Sequence, residues 1–320
     1  LLITGAAGGI GQEMRKRLSH MAEIIRVSDK AALGDARPNE EVMECNLADK
    51  DAVFKLVEGC DGILHLGGIS IEDSWTPIKD GNIDGIVNLY EAARLLGQPR
   101  IIFASTNHTV GFYRQNERID SKVYPQPDSL YGASKVFGEA IANVYHSKFG
   151  IETAIVRIGS CFPEPQTHRQ LSLWLSYRDF VSLVECVFRA PRLGCPIIYG
   201  VSNNDSTWWD NRHVDYLGWA PKDNAETFRT QLDATLPRPG RDAPDAIYNS
   251  FLFAIIAVTF ITITSGLISY VIVRRDTKAA AAIDFLMMVP YLVPGVVMAI
   301  GFVTVFRNGM PNFFGPAFLL

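Results

Sequence analysis

A glycine-rich turn lies between an apolar run and a helical pattern at the start of the chain. The segment LLITGAAGGIGQEM places Gly5, Gly8 and Gly11 in a GxxGxxG spacing directly after LLIT. Glycines at these positions let the backbone turn tightly and approach a pyrophosphate, whose charge then faces free N–H groups and the positive end of a helix dipole. The alternative is an ordinary glycine-rich turn. Between a strand and a helix, the spacing predicts a dinucleotide site.

Short apolar runs alternate with amphipathic stretches from the start of the chain to about residue 236. We predict strands at residues 1–4, 23–28, 42–45, 62–66, 100–105 and 153–158. Helical patterns lie between them, notably at 10–18, 51–58, 82–96 and 130–149. Repeated βαβ units of this kind predict an α/β fold, a doubly wound parallel sheet of the Rossmann type, with a small substrate lobe after it. We place the dinucleotide-binding domain at 1–158 and the lobe at 159–236.

Charge and cysteine spacing exclude two classes of function. The formal net charge is -4 and no long Lys/Arg run occurs, so no nucleic-acid surface is expected. The five cysteines show no CxxC spacing and the six histidines no HxxxH or HExxH spacing, so no metal site is expected. Buried free thiols in a reducing compartment fit this pattern, and we expect the domain to be cytoplasmic.

A carboxylate follows the second predicted strand. Asp29 ends the run IIRVSD, where it can accept hydrogen bonds from the hydroxyls of an adenosine ribose. Because a carboxylate repels a ribose phosphate, Asp29 favours NAD over NADP. Lys30 beside it weakens that preference slightly.

The motif YGASK carries the predicted chemistry. Tyr131 and Lys135 are four residues apart on a predicted helix, so both side chains lie on one face. Lys135 is expected to lower the pKa of the phenol, so that Tyr131 acts as a general base. The strand end FASTNHTVGFY precedes this helix and supplies Thr106 to orient the reacting hydroxyl. The alternative for this polar cluster is a cap in which Thr106 and Asn107 bind local backbone.

The glycine spacing and these motifs resemble the extended short-chain dehydrogenase/reductase family. CNLAD matches the adenine-contacting segment of that family, although Asn46 replaces the usual Asp, and ILHLGG resembles its nicotinamide-side loop. His65 in that strand is predicted to be a core histidine. The cofactor-binding set that follows is Gly5, Gly8, Gly9, Ile10, Gly11, Asp29, Asn46, Leu47, Leu66, Gly67, Gly68, Asn82, Tyr131 and Lys135.

A closer resemblance is to the uronate dehydrogenases. It rests on segments such as GCDGILHLGGIS, ETAIVRIGSCFPEP and WWDNRHVDYLGWAPKDNAE, and extends to about residue 237. It implies oxidation of glucuronate or galacturonate by NAD at the anomeric carbon, giving an aldaric acid lactone. The implied sugar contacts are Ser70, Asn107, His108, Ser160 and Arg169.

Arg169 and three tryptophans each allow a second interpretation of the sugar site. The guanidinium of Arg169 suits a carboxylate, but without the resemblance a solvated loop arginine would be the better interpretation. Trp208, Trp209 and Trp219 can stack on a sugar, although core positions are commoner. A sugar-nucleotide epimerase or dehydratase is the alternative activity, disfavoured by the small lobe. We expect the dehydrogenase domain to form a homo-oligomer.

The chain becomes much more apolar after a predicted linker at 237–246. Residues 246–273 and 285–306 carry no charge, and each run exceeds the roughly 20 residues that cross a bilayer, so we predict two transmembrane helices at 247–320. A buried helical hairpin is the alternative. The tail resembles a fragment of an ABC transporter permease, and an inner-membrane location follows if the tail is genuine. We suspect an accidental join of two coding fragments. The alternative to such a join is a natural membrane-anchored dehydrogenase. For the function, the alternative of another class is a truncated permease with a non-catalytic nucleotide-binding head.

Overall fold

The computed structural model describes residues 1–235 and 243–274. The chain divides into two compact units, Leu1–Arg238 and Pro239–Leu320. The first unit contains both the predicted dinucleotide-binding domain and the predicted lobe.

The first unit is built on a seven-stranded parallel sheet. Its strands are β1 (Leu2–Thr4), β2 (Ile25–Ser28), β3 (Glu40–Val42), β4 (Gly62–His65), β5 (Arg100–Thr106), β6 (Thr153–Ile158) and β9 (Ile197–Gly200), in the order β3-β2-β1-β4-β5-β6-β9. The strand order reverses between β1 and β4, which pair in parallel. In an open α/β sheet, ligands bind beyond the carboxyl ends of the strands at this point. A separate short pair joins β7 (Ser160–Cys161) and β8 (Trp174–Leu175).

Helices cover both faces of the sheet. They are α1 (Gly9–Arg17), α2 (Lys50–Val57), α3 (Trp75–Ile78), α4 (Gly85–Leu95), α5 (Leu130–Phe149), α6 (Gln170–Leu173), α7 (Tyr177–Arg189) and α8 (Arg229–Thr235). Neighbouring residues of β1 enter different cores, because Leu2 belongs to the core cluster that includes Leu89 of α4, whereas Ile3 belongs to the cluster that includes Met14 of α1. The doubly wound parallel α/β fold is therefore confirmed.

Several predicted boundaries differ from the structure. The strand 153–158 and the helix 130–149 are confirmed as β6 and α5. The third strand covers Glu40–Val42, so it overlaps the predicted range 42–45 at one residue only. The Glu40 side chain is buried in an ion pair of 2.6 Å with Arg15. The helix predicted at 82–96 is interrupted: a π-helical turn, Lys79–Asp84, joins α3 to α4. Strand β9 was not predicted.

The second unit contains one described helix, α9 (Ala243–Arg274). Its start makes residues 243–246 of the predicted linker helical. Large apolar side chains such as Phe251, Ile255 and Phe260 are exposed. Within the described ranges, no helix combines the length and apolarity needed to cross a membrane, so the predicted transmembrane hairpin is not supported. The second predicted span, at 285–306, lies outside the described residues.

Candidate active site

A cavity of about 720 Å³ opens at the carboxyl ends of the central strands. It brings together most of the residues predicted to bind cofactor, to react or to contact sugar. They are Gly5, Gly8, Gly9, Ile10, Gly11, Asp29, Asn46, Leu47, Leu66, Gly67, Gly68, Ser70, Thr106, Asn107, His108, Tyr131 and Lys135. Asn82, Ser160 and Arg169 do not line it.

The glycine turn forms one end of the cavity. Gly5 has a φ of +68°, a left-handed conformation that favours glycine. A Cβ on Gly11 would lie 2.1 Å from the carbonyl oxygen of Gly5, so no larger residue fits without moving the turn. Helix α1 begins directly after Gly8, and its free N–H groups meet the cavity there. This cradle fits the pyrophosphate of a dinucleotide.

The carboxylate of Asp29 is fixed at the end of β2. Its Oδ2 accepts the backbone N–H of Ala7 at 3.1 Å, and its Oδ1 accepts the N–H of Ala31 at 3.0 Å. Both the carboxylate and the neighbouring Lys30 line the cavity. A rigid carboxylate at this place suits the ribose hydroxyls of NAD.

His65 is a core histidine, in agreement with its interpretation from sequence. Thr4 Oγ1 accepts the backbone N–H of Gly67 at 3.1 Å and shares a hydrogen bond of 2.8 Å with His65 Nδ1. Burial lowers the pKa of His65 to about 3, so the ring is neutral. This chain of hydrogen bonds holds the loop that begins at Leu66, which was predicted to face the nicotinamide.

Tyr131 and Lys135 lie together on the buried side of α5. The ammonium of Lys135 donates to the carbonyl oxygen of Ala104 at 3.0 Å and lies 5.9 Å from the centroid of the Tyr131 ring. Burial lowers the pKa of Lys135 to about 8. Thr106, the last residue of β5, lines the same cavity, and its Oγ1 donates to Asn107 Oδ1 at 3.4 Å and accepts the backbone N–H of His108 at 3.3 Å. The predicted pair therefore faces the cavity beside the predicted hydroxyl.

The expected lowering of the Tyr131 pKa is wrong for this structure. Burial raises the pKa of the phenol, and the influence of the Thr106 hydroxyl only partly opposes this shift. Tyr131 is 8% exposed, so the loss of hydration destabilises the phenolate more than its neighbours stabilise it. The ammonium of Lys135 is directed at a carbonyl group rather than at the phenol oxygen.

A second pair beside Tyr131 was missed from the sequence. His108 Nδ1 donates to the carboxylate of Asp128, at 2.9 and 3.0 Å from its two oxygens. The His108 ring packs edge-on against the Tyr131 ring at 5.7 Å. Asp128 thus fixes the orientation of His108 at the cavity wall. Its only sequence signal was its place directly before the Ser129 cap of α5.

Three predicted contacts, Asn82, Ser160 and Arg169, have other surroundings, whereas Trp209 has the core position that was the commoner interpretation. Asn82 is buried and binds the backbone of Ile69, so it braces a loop of the cavity. Ser160 lies in β7, next to the cavity residue Cys161, and Arg169 is exposed before α6. Trp209 is a core residue that stacks on Tyr199 at 5.0 Å.

A buried ion pair fixes α5 against the sheet. Arg157 of β6 donates to both oxygens of Glu139, at 2.9 and 2.8 Å, and Ser105 of β5 donates to the same carboxylate at 2.6 Å. Arg157 is 1% exposed and Glu139 4%. Glu139 lies one helical turn after Lys135, so the pair determines which face of α5 meets the strands.

No group of three or more His, Cys, Asp or Glu side chains that could hold a metal ion occurs in residues 1–235 and 243–274. Cys45 and Cys161 line the cavity, and burial raises the pKa of the Cys161 thiol to about 12. Such thiols are protonated and unreactive near neutral pH.

Residues 1–176 match the NAD dependent epimerase/dehydratase family, and this match includes the glycine turn, Thr106 and the Tyr131–Lys135 helix. The chain belongs to this family. Family membership accounts for the cavity at the sheet edge, and it agrees with the Tyr131–Lys135 pair predicted on α5. It also fits the fixed carboxylate of Asp29.

Relatives within the family are more specific. The chain is 59% identical over 247 residues to a uronate dehydrogenase of Agrobacterium fabrum, covering 77% of this chain and 92% of the relative. It is 51% identical to a uronate dehydrogenase of Pseudomonas putida, covering 80% of this chain and 95% of the relative. A crystal structure of a mutant uronate dehydrogenase from Agrobacterium tumefaciens complexed with NAD superposes with a TM-score of 0.74 at 58% identity, covering 75% of this chain and 91% of that one.

Proposed function

We propose that the chain oxidises a hexuronic acid, glucuronate or galacturonate, at its anomeric carbon with NAD as hydride acceptor. The observation that carries the proposal is the meeting of Thr106, Tyr131 and Lys135 in one cavity with the glycine turn of α1. The 59% identity to a uronate dehydrogenase supports the choice of a uronic acid. A uronic acid also fits a wall that presents Ser70, Asn107 and His108 to a polyhydroxylated ligand.

The chain's own residues supply binding, orientation and proton transfer. Thr106 orients the anomeric hydroxyl, and Tyr131 removes its proton. Lys135 holds positive charge beside the phenol and binds the nicotinamide ribose. Bound NAD supplies the acceptor for the hydride that leaves the same carbon, so that the product is a lactone. The two electrons of the C–H bond thus leave the sugar as its hydroxyl proton passes to Tyr131.

We also propose Ser160 and Arg169 as sugar contacts and Asn82 as part of the cofactor site, from the family resemblance. Cys161 and Phe162, which follow Ser160, line the cavity, and this supports a sugar site near that segment. The 1–158 and 159–236 division into cofactor and sugar regions is proposed on the same ground.

The direct test is the appearance of NADH when NAD and glucuronate or galacturonate are added to the full chain. Glucose, which lacks the carboxylate, and UDP-glucose, an epimerase substrate type, are the matched comparisons. We expect NADH with the uronates and much less with either comparison. NADH formation with glucose at an equal kcat/KM would contradict the uronate assignment.

Turnover should depend on pH through the Tyr131–Lys135 pair. Burial gives Lys135 a pKa of about 8 and raises the pKa of Tyr131 above its ordinary value. At neutral pH the phenol holds its proton, so Tyr131 must lose that proton before its oxygen can accept one from the sugar. We therefore expect kcat/KM for uronate to rise with pH up to about 8, where Lys135 still carries its charge; above about 8 the loss of the Lys135 charge should limit the rise.

Initial rates across this range check the prediction. Lys135→Met should move the rise to higher pH, because the buried phenol then lacks its cation. A kcat/KM that does not change with pH below 8 would remove Tyr131 from its role as base.

The permease hypothesis for the tail gains no support from the described residues. A non-catalytic head has no use for a complete Thr106, Tyr131 and Lys135 set facing a cavity. Homo-oligomerisation, a cytoplasmic location and membrane association through the tail remain predictions.

A further inference from the structure

The carboxylate of Glu72 binds the first turn of the helix that carries Tyr131. Its Oε2 accepts the backbone N–H of Tyr131 at 2.9 Å, and its Oε1 accepts the N–H of Leu130 at 3.2 Å. These N–H groups have no partner within the helix, and the helix dipole favours negative charge there. Glu72 is 59 residues away from Tyr131 in sequence. A distant loop therefore supplies this cap.

The same loop is tied to α5 at a second point. Asn82 Oδ1 accepts the N–H of Ile69 at 2.7 Å, and its Nδ2 donates to Ile69 O at 3.1 Å and to Ser134 Oγ at 2.9 Å. Ser134 Oγ in turn donates to the carbonyl oxygen of Tyr131 at 2.7 Å. The backbone of Tyr131 is thus connected to the loop through both its N–H and its carbonyl group.

Ser70 and Ile71 lie between these two ties, and both line the cavity. The position of Ser70 relative to the phenol consequently depends on Ile69 at one side and on Glu72 at the other. The Asn82 tie is buried and belongs to the interior of the fold. The Glu72 side chain is exposed, so its removal leaves no cavity in the core.

We propose that Glu72 is a positioning residue, which holds the sugar-facing segment 69–72 at a fixed distance from Tyr131. The proposal rests on the proposed uronate oxidation and deepens it. Glu72 does not touch the reacting atoms. It aligns the loop that contacts the sugar with the helix that removes the proton.

Glu72→Ala tests this role in the full chain. Misplacing a bound substrate by about 1 Å costs about a hundredfold in rate, so we expect kcat/KM for uronate to fall about tenfold to a hundredfold. The glycine turn is untouched, and the NAD dissociation constant should stay within about twofold of wild type. Glu72→Gln keeps one accepting oxygen and should give an intermediate loss.

Asp49→Ala is the matched control. Asp49 is also an exposed carboxylate, and it caps α2 by accepting the N–H groups of Asp51 and Ala52, each at 3.1 Å. Its loss should lower the Tm about as much as Glu72→Ala does, without changing the kcat/KM for uronate. An equal kinetic loss in both variants would mean that general destabilisation explains the effect, and would overturn the proposal.

Amide hydrogen exchange gives a readout that does not depend on activity. In Glu72→Ala the amides of Leu130 and Tyr131 should exchange faster, whereas that of Gly132, bound by Ser129 Oγ at 3.0 Å, should not change. Unchanged exchange at Leu130 and Tyr131, or an unchanged kcat/KM, would overturn the role of Glu72 alone. A wild-type chain that oxidises no uronate would instead overturn the proposed function.

Discussion

Tyr131→Phe should lower kcat for uronate oxidation by about 10²- to 10⁴-fold, the usual contribution of a positioned general base. Phenylalanine keeps the buried ring and its edge-on packing against His108, and it removes only the oxygen that accepts the proton. The affinity for NAD should remain within about twofold, since the phosphates bind at the glycine turn. Initial rates and an NAD titration measure the two quantities.

Tyr216→Phe is the control for this variant. Its phenol donates to the carbonyl oxygen of Leu193 at 2.8 Å, outside the cavity lining. It removes the same atom and one hydrogen bond, and turnover should not change. If Tyr131→Phe kept more than about a tenth of wild-type kcat, another group would have to take the sugar proton.

Gly11→Ala should both destabilise the fold and weaken NAD binding. The new Cβ would lie 2.1 Å from Gly5 O and 2.7 Å from Ala6 Cα, and both are backbone atoms. Forced overpacking of this kind lowers the free energy of unfolding by about 1–3 kcal/mol. Displacing the N–H groups that face the pyrophosphate should raise the NAD dissociation constant about tenfold to a hundredfold.

Gly9→Ala shows whether the effect is local. An ideal Cβ on Gly9 meets nothing within 4 Å, and Gly9 is the first residue of α1, where alanine is the better helix former. Its stability should equal or exceed that of wild type in a denaturant titration. If both alanine variants lost stability equally, close backbone approach would not be the reason for glycine at position 11.

The local sequence was sufficient to predict much of the fold and the residues at the centre of the candidate active site. Strand β6 is an apolar and β-branched run with the single charged residue Arg157, and α5 starts at a serine cap and is followed by Gly150 in a left-handed conformation. The need for glycine at position 11 comes from neighbours only a few residues away, because a Cβ there would meet the backbone of Gly5 and Ala6. The spacing of Tyr131 and Lys135 fixes their common face. In each of these cases the determining contacts are short in sequence.

The contacts that sequence could not predict connect distant segments. Asp128 meets His108 across 20 residues, and Glu72 meets Tyr131 across 59. Asn82 lies in the first part of a predicted helix, but its amide is used by a neighbouring loop. A side chain's partners depend on how elements pack, and the helical period alone does not specify them.

The prediction that the pKa of Tyr131 is lowered was wrong for a related reason. The four-residue spacing predicts that Lys135 lies near Tyr131, but it contains no information about how deeply the phenol is buried. Removal of water from a deeply placed phenol outweighs a cation whose hydrogen bond goes to Ala104. The sign of the shift therefore depends on tertiary burial.

The ion pair between Arg157 and Glu139 has a consequence for redesign. Rotating α5 about its axis would separate Glu139 from Arg157 and leave an unpaired charge in the apolar interior. The direction in which the phenol points is therefore set by the packing of α5 on the sheet and not by the loops around the sugar. Loop grafts intended to change which sugar is accepted can thus leave the direction of proton removal intact. Repacking the strand beneath that helix would misdirect the phenol even if every residue at the cavity wall were preserved.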